Sequence, residues 1–142
     1  MAFVDKIKEK ARQNKKSIIL PETMDDRTYY AADGAIKEDI ADIILVGSQA
    51  EITERTAKLG LDLSKASVVD PANCDKFDDY ANLLYETRKA KGMTPEQARE
   101  ILLADTITFG IVMLKAGDAD GLVAGACHST ADTLRPSLQI LK

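Results

Sequence analysis

The residues best suited to chemistry lie together near the end of this sequence. They are Gly125-Ala126-Cys127-His128-Ser129-Thr130 and a following segment that carries Asp132, Arg135 and Pro136. A short apolar run, Gly121 to Ala124, precedes them and reads as a buried strand. Residues 125–127 then read as a small-residue turn, and His128, Ser129 and Thr130 open a helix. Backbone N–H groups at a helix amino terminus lack intrahelical partners, and the helix dipole there favours negative charge. Ser129 and Thr130 add hydroxyl donors, and Arg135 adds a fixed cation whose fork suits phosphate oxygens. The chemistry indicated is binding of phosphate or a phosphorylated cofactor at the carboxyl end of a sheet strand. A Ser or Thr ahead of a helix serves equally as a plain cap, so the motif alone leaves both roles open.

Other residues of the same chemical interest carry simpler readings. His128 is the sole histidine and is expected to fix the turn through a hydrogen bond. Cys127 is expected to be a small packed side chain, because a sequence neighbour such as His128 is badly placed at such a turn to activate it. Asp132 reads as a cap, or as an orienter of Arg135 at i,i+3. Glu22 and Arg27 fall where a strand hands over to a helix, which in an open α/β sheet is the ligand edge. Asp25 and Asp26 beside them read as a cap and a surface ion-pair partner. Arg88, Lys89 and Lys91 crowd the end of a helix, either compensating its dipole or forming a cationic rim. Asp118 and Asp120 precede the last strand at its amino end and read as solvated. Cys74 and Cys127 give neither a metal-ligand spacing nor a CxxC pair, so no metal site is expected.

The elements that must position these groups are marked by short-range signals. Phe3, Val4, Ile7 and Ala11 predict an amphipathic helix over 2–14. Ser17 to Leu20 is an apolar run closed by Pro21 and reads as a strand. Asp25 or Asp26 caps a helix through Tyr29, Ala32 and Ile36. Ala41 to Val46 is the cleanest strand, and Ser48 caps a helix from Gln49 to Leu59 with Gly60 just past its end. Ala66 to Val69 reads as a third strand. Phe77, Tyr80, Ala81, Leu84 and Tyr85 predict a helix over 75–91. Thr94-Pro95-Glu96-Gln97 combines an N-cap, a first-position proline and a capping-box Gln, starting a helix to about Leu103. Asp105 or Thr106 begins another, apolar on nearly all sides and so expected to be buried, ending at Gly117.

Four short apolar strands alternating with helices select an α/β fold: three layers, α/β/α, around a mainly parallel sheet. The chain of 142 residues is long enough for one domain with a sizeable core. Its net charge of −4 argues against a nucleic-acid binder but leaves room for a local positive pocket. No run approaches the ~18 apolar residues that would span a bilayer. The charged N-terminus has no apolar core of leader length. A reducing, cytoplasmic setting is the default expectation. Ser137 to Lys142 is still helical in pattern with no stop signal, and Leu134, Leu138 and Leu141 want a partner. The sequence thus reads as cut off inside an element, as the N-terminal part of a longer protein.

On these residues the chain resembles the phosphate acetyl/butyryl transferases. The matching segments are Leu20-Pro21-Glu22 with Asp26-Arg27-Thr28, Ala41 to Gly47, Tyr85 to Gly92, and above all Asp120 to Lys142 with its Gly-Ala-x-His-Ser-Thr-Ala-Asp-Thr-Leu-Arg-Pro run. The resemblance implies an enzyme that interconverts acetyl-CoA plus inorganic phosphate with acetyl phosphate plus CoA, using CoA as substrate and no tightly bound cofactor. It implies residues 1–142 to be the N-terminal α/β domain of a two-domain acyltransferase that is a homodimer or higher homo-oligomer, with no nucleic-acid or membrane partner. It implies that Ser129, Thr130 and Arg135 meet phosphate and that Arg88 meets CoA, with His128 and Arg27 in support. The family's catalytic aspartate and its partnering Ser-Arg pair belong to a later half, so no catalytic residue is expected here and the fragment alone should be inactive. Two alternatives stand beside this: a non-catalytic phosphate- or acyl-CoA-binding regulatory module of the same fold, and a receiver-like signalling domain. The second lacks the paired aspartates that would end its first strand.

Overall fold

A computed structural model describes residues 2–141; Lys142, read above as continuing the last helix, lies outside the described residues. The strands are β1 (Lys16–Leu20), β2 (Ala41–Val46), β3 (Ser67–Val69) and β4 (Gly121–Leu122), paired in parallel in the order β3-β2-β1-β4. The helices are α1 (Phe3–Gln13), α2 (Asp26–Lys37), α3 (Gln49–Lys58), α4 (Phe77–Arg88), α5 (Pro95–Ala104), α6 (Thr106–Lys115) and α7 (Thr130–Ile140).

The pleat divides the apolar residues of the strands between two cores. Leu20, Ile43 and Leu45 join Tyr29 and Ala32 of α2 and Ile52 of α3 on one face. Ile19 and Val46 join Tyr80 and Leu84 of α4, Leu102 of α5 and Phe109, Ile111 and Val112 of α6 on the other. Tyr80 meets Phe109 edge to face, ring centroids 5.4 Å apart. The expected three-layer α/β/α arrangement results, with an all-parallel sheet. Helix α1 has no buried residue, and Phe3, Val4 and Ile7 are exposed.

The local signals place the helix starts. Asp25 accepts from the Arg27 N–H, Ser48 from Glu51, and Asp105 from Ile107 and Thr108. Thr94 and Gln97 form the reciprocal capping box. Several elements end short of what the sequence suggests, and two of these matter for the site. Helix α4 stops at Arg88, and Lys89–Lys91 tighten into a 3-10 turn ended by Gly92 at φ +91°. Strand β4 covers Gly121–Leu122 rather than reaching Ala124; the Val123 N–H still bonds to Ile19 O, and Gly125 at φ +114° then turns the chain away.

Asp118 and Asp120 are not simply solvated. Asp118 accepts from the Tyr80 hydroxyl at 2.6 Å and from Lys76 Nζ at 3.0 Å. Asp120 Oδ2 accepts from the Ser17 N–H at 2.8 Å, while its own N–H donates to Ser17 O. Together they dock the start of β4 against α4 and β1. Helix α6 approaches the sheet closely at Gly110, where an added Cβ would sit 2.7 Å from Leu122 Cδ1 and 3.1 Å from Ile19 Cγ2.

Candidate functional site

Because β1 and β4 are neighbours and parallel, the loops that leave their carboxyl ends lie side by side. The loop after β1 begins Pro21-Glu22-Thr23, and Glu22 is only 2% exposed. A buried carboxylate is costly unless every lone pair is used. Here the turn after β4 supplies the donors. Glu22 Oε1 accepts the N–H of Gly125 at 2.6 Å and of Ala126 at 2.9 Å. Oε2 accepts the N–H of Cys127 at 2.8 Å and of His128 at 3.2 Å, the His128 Nδ1–H at 2.8 Å and the Cys127 thiol at 3.3 Å. Arg27 adds a second tie between the loops, gripping both oxygens of Asp25 and donating to the Ala126 carbonyl. Burial pushes the Glu22 pKa up, but the bonds from His128, Cys127 and Ala126 outweigh it and hold the carboxyl at about 2.

This carboxylate sets the chemistry of its neighbours. His128 fixes the turn by a hydrogen bond, as its type suggested. Cys127 and His128 do come together, contrary to the expectation from sequence: Sγ lies 3.5 Å from Nδ1. The pair is still no activated nucleophile. Cys127 is exposed rather than packed as its type suggested, but local desolvation of its sulfur and the adjacent Glu22 carboxylate push the thiol up to about 11, and Nδ1 is engaged with Glu22. Glu22, Cys127 and His128 are also a trio whose ligand atoms all lie within 4.8 Å of one another. A cation there would face four N–H groups with their positive ends toward it, so the donor set fits an anion, which Glu22 already supplies.

Next to the turn lies a cavity of about 450 Å³. It is lined by Arg88 from the end of α4, by Met93 and Asp105, and by His128, Arg135 and Pro136. Arg88, His128 and Arg135, which the family resemblance assigns to the site, thus share one cavity although they come from different elements. Among the described residues neither arginine forms an ion pair. Asp105 also faces it, but both its oxygens are spent capping α6. Ser129 caps α7, its Oγ accepting the Asp132 N–H at 3.0 Å, and Thr130 is the first residue of that helix. Neither lines the cavity wall. Asp132 lines the wall but makes no ion pair with Arg135 among the described residues. Arg27 lies outside the cavity, at the turn. Glu22 is the central residue that motif reasoning undervalued; its sequence signals are its place directly after a strand and Pro21 and its membership of the Leu20-Pro21-Glu22 segment.

The chain is similar to known proteins along its whole length. Residues 2–142 match the family model described as phosphate acetyl/butaryl transferase. Phosphate acetyltransferase of Thermoanaerobacterium thermosaccharolyticum is 53% identical over all of the chain, and that of Escherichia coli 42% identical over 99% of it. The chain spans 42% of the first of these proteins and 20% of the second. Among solved structures, a phosphotransacetylase from Streptococcus pyogenes superposes with a TM-score of 0.90 at 35% identity, over 99% of this chain and 43% of that one. EutD phosphotransacetylase from Staphylococcus aureus gives 0.86 at 37% identity, over 96% of this chain and 41% of that one.

Proposed function

The chain belongs to the phosphate acetyl/butaryl transferase family, and from that premise we propose that it forms one wall of the active site of an enzyme that moves an acetyl group reversibly between CoA and inorganic phosphate. The observation that carries this reading is the meeting of Arg88 and Arg135 in one cavity, with neither guanidinium neutralised by an ion pair among the described residues. Two unpaired cations in a half-enclosed space are a site for anions, and both substrates are anionic. In this reading Arg135 and the amino end of α7, with Ser129 and Thr130, hold phosphate. Arg88 holds CoA. His128 and Arg27 keep the turn in place.

The chain's own carboxylates near the cavity support an incomplete catalytic set. Glu22 accepts four backbone N–H groups and Asp105 caps α6 with both of its oxygens, and we assign no base role to Asp132, which sits in the first turn of α7 beside the proposed phosphate site. A base would come from beyond residues 1–142, which we read as the N-terminal domain of a two-domain acyltransferase. The exposed Leu134 and Leu138 on α7 are consistent with such a second part, and with assembly of the whole enzyme as an oligomer. On this reading the chain alone binds ligand but does not turn it over.

The test is an amide-resolved NMR titration with phosphate and then CoA. Phosphate is expected to shift 129–135 and CoA to shift Arg88. Silence at both regions up to roughly 10 mM ligand, where a site worth about 3 kcal/mol would show, would sink the reading.

A further inference from the structure

The geometry points to Glu22 as a positioning residue: its carboxylate stands where a bound anion would otherwise sit in the turn 125–128, and so fixes how α7 leaves that turn with Ser129 and Arg135. Successive backbone N–H groups converging on one point are the usual cradle of a phosphate or carboxylate ligand. Here the amides of Gly125, Ala126, Cys127 and His128 all converge on Glu22. None of the four donates to another backbone carbonyl among the described residues. Gly125 and Cys127 are exposed, so packing does not hold this turn. The carboxylate does, with Arg27 on the Ala126 carbonyl as the second clamp.

This has a consequence for where an external anion goes. The amides nearest the strand are filled from within, which leaves the first turn of α7 and the two cavity arginines to meet a phosphate. Glu22 thereby decides which donors of this sheet edge are available. The inference rests on the phosphate reading only for what the held turn serves; the occupancy of the turn by Glu22 is independent of it.

The experiment reads the turn directly in this chain by NMR. In the wild type, the four amides should exchange with solvent roughly a hundredfold more slowly than in an unstructured peptide, despite lying in a loop. The ring nitrogens of the one histidine should report Nδ1 as protonated. In Glu22→Gln one oxygen becomes an NH2 that cannot accept, so the amides that faced that oxygen should lose protection while those on the remaining carbonyl oxygen keep part of theirs, and the ring should move toward the Nε2–H tautomer where the NH2 faces Nδ1. In Glu22→Ala, added formate should return the four amides toward their wild-type positions. Unprotected amides or an unprotonated Nδ1 in the wild type would overturn the inference, and so would a folded Glu22→Gln that leaves both unmoved, or a folded Glu22→Ala in which formate moves nothing. If the variants do not fold, the wild-type exchange and ring data still decide. The response of Arg88 and Arg135 to inorganic phosphate is read separately, so a failed ligand reading leaves this result standing.

Discussion

Glu22 Oε2 lies 2.8 Å from Nδ1 of His128, although 106 residues separate the two along the chain. An ionised carboxylate only accepts, so Nδ1 carries the proton and a neutral ring keeps Nε2 as its acceptor. One carboxylate therefore sets the tautomer of the histidine at the cavity, the shape of the turn and the acidity of the adjacent thiol. Each effect has a measurable counterpart.

Acid should unfold the chain partly through Glu22. Its folded pKa of about 2 lies below the ordinary 4.5. The unfolded state therefore binds the extra proton between these values, and stability falls as pH drops from about 4.5 to 2. It is fully present above that window. The difference corresponds to something on the order of 3 kcal/mol. Urea unfolding of the wild type and Glu22→Gln across this range should show the wild-type advantage shrinking toward acid. A constant difference would contradict the assignment.

Cys127 should alkylate slowly. A thiol pushed up to about 11 from 9.0 is almost wholly protonated near neutral pH. Removing the Glu22 charge lifts only its share of that shift and leaves the desolvation, so the rate with iodoacetamide should rise by roughly threefold to tenfold, since the thiolate is the reacting form. Peptide mapping separates Cys127 from Cys74. An unchanged rate in a folded Glu22→Gln would show that the carboxylate does not control the thiol.

Two glycines should respond with opposite sign. Gly110→Val drives side-chain carbon into Leu122 and Ile19 and is expected to cost about 2 kcal/mol or more. Gly34, inside α2, has nothing within 4 Å of an added Cβ, so Gly34→Ala should stabilise by roughly 0.5–1 kcal/mol. Thermal unfolding measures both, and a neutral Gly110→Val would mean that α6 sits less tightly on β1 and β4.

The cavity arginines should be separable. Arg135→Ala is expected to weaken phosphate binding more than CoA binding, and Arg88→Ala the reverse, each by roughly tenfold or more for a lost charge-assisted contact. Neither should lower the melting temperature appreciably, because neither guanidinium is part of an ion pair among the described residues. Equal losses of both ligands from both variants would merge the two assigned subsites into one.

What was legible in the sequence was local. Caps at Asp25, Ser48, Thr94 and Asp105 announce their helices within three residues, and Ala41 to Val46 announces itself by composition. Ile18 and Leu20 facing away from Ile19 follows from the pleat alone. What was not legible depends on the sheet order. Nothing near Glu22 states that β1 will lie beside β4, yet that adjacency brings Glu22 to Gly125, Asp120 to Ser17 and, through the turn, Cys127 to His128. The end of β4 was misjudged for the same reason: Val123 and Ala124 are apolar enough to continue, but Gly125 bends the chain toward a carboxylate that the local pattern cannot reveal.

The strand order also dictates a sequence of events during synthesis. β1 and β2 can pair as soon as both have emerged, whereas the first donor to Glu22 arrives 103 residues later. At typical translation rates of roughly 5–20 residues per second, that is a wait on the order of 5–20 s. Through that interval Glu22 remains a hydrated carboxylate at the end of a half-built sheet. The turn, and with it the cavity, therefore forms only after β1 and β2 are available to pair, and a nascent chain stalled before residue 125 has no such site to offer.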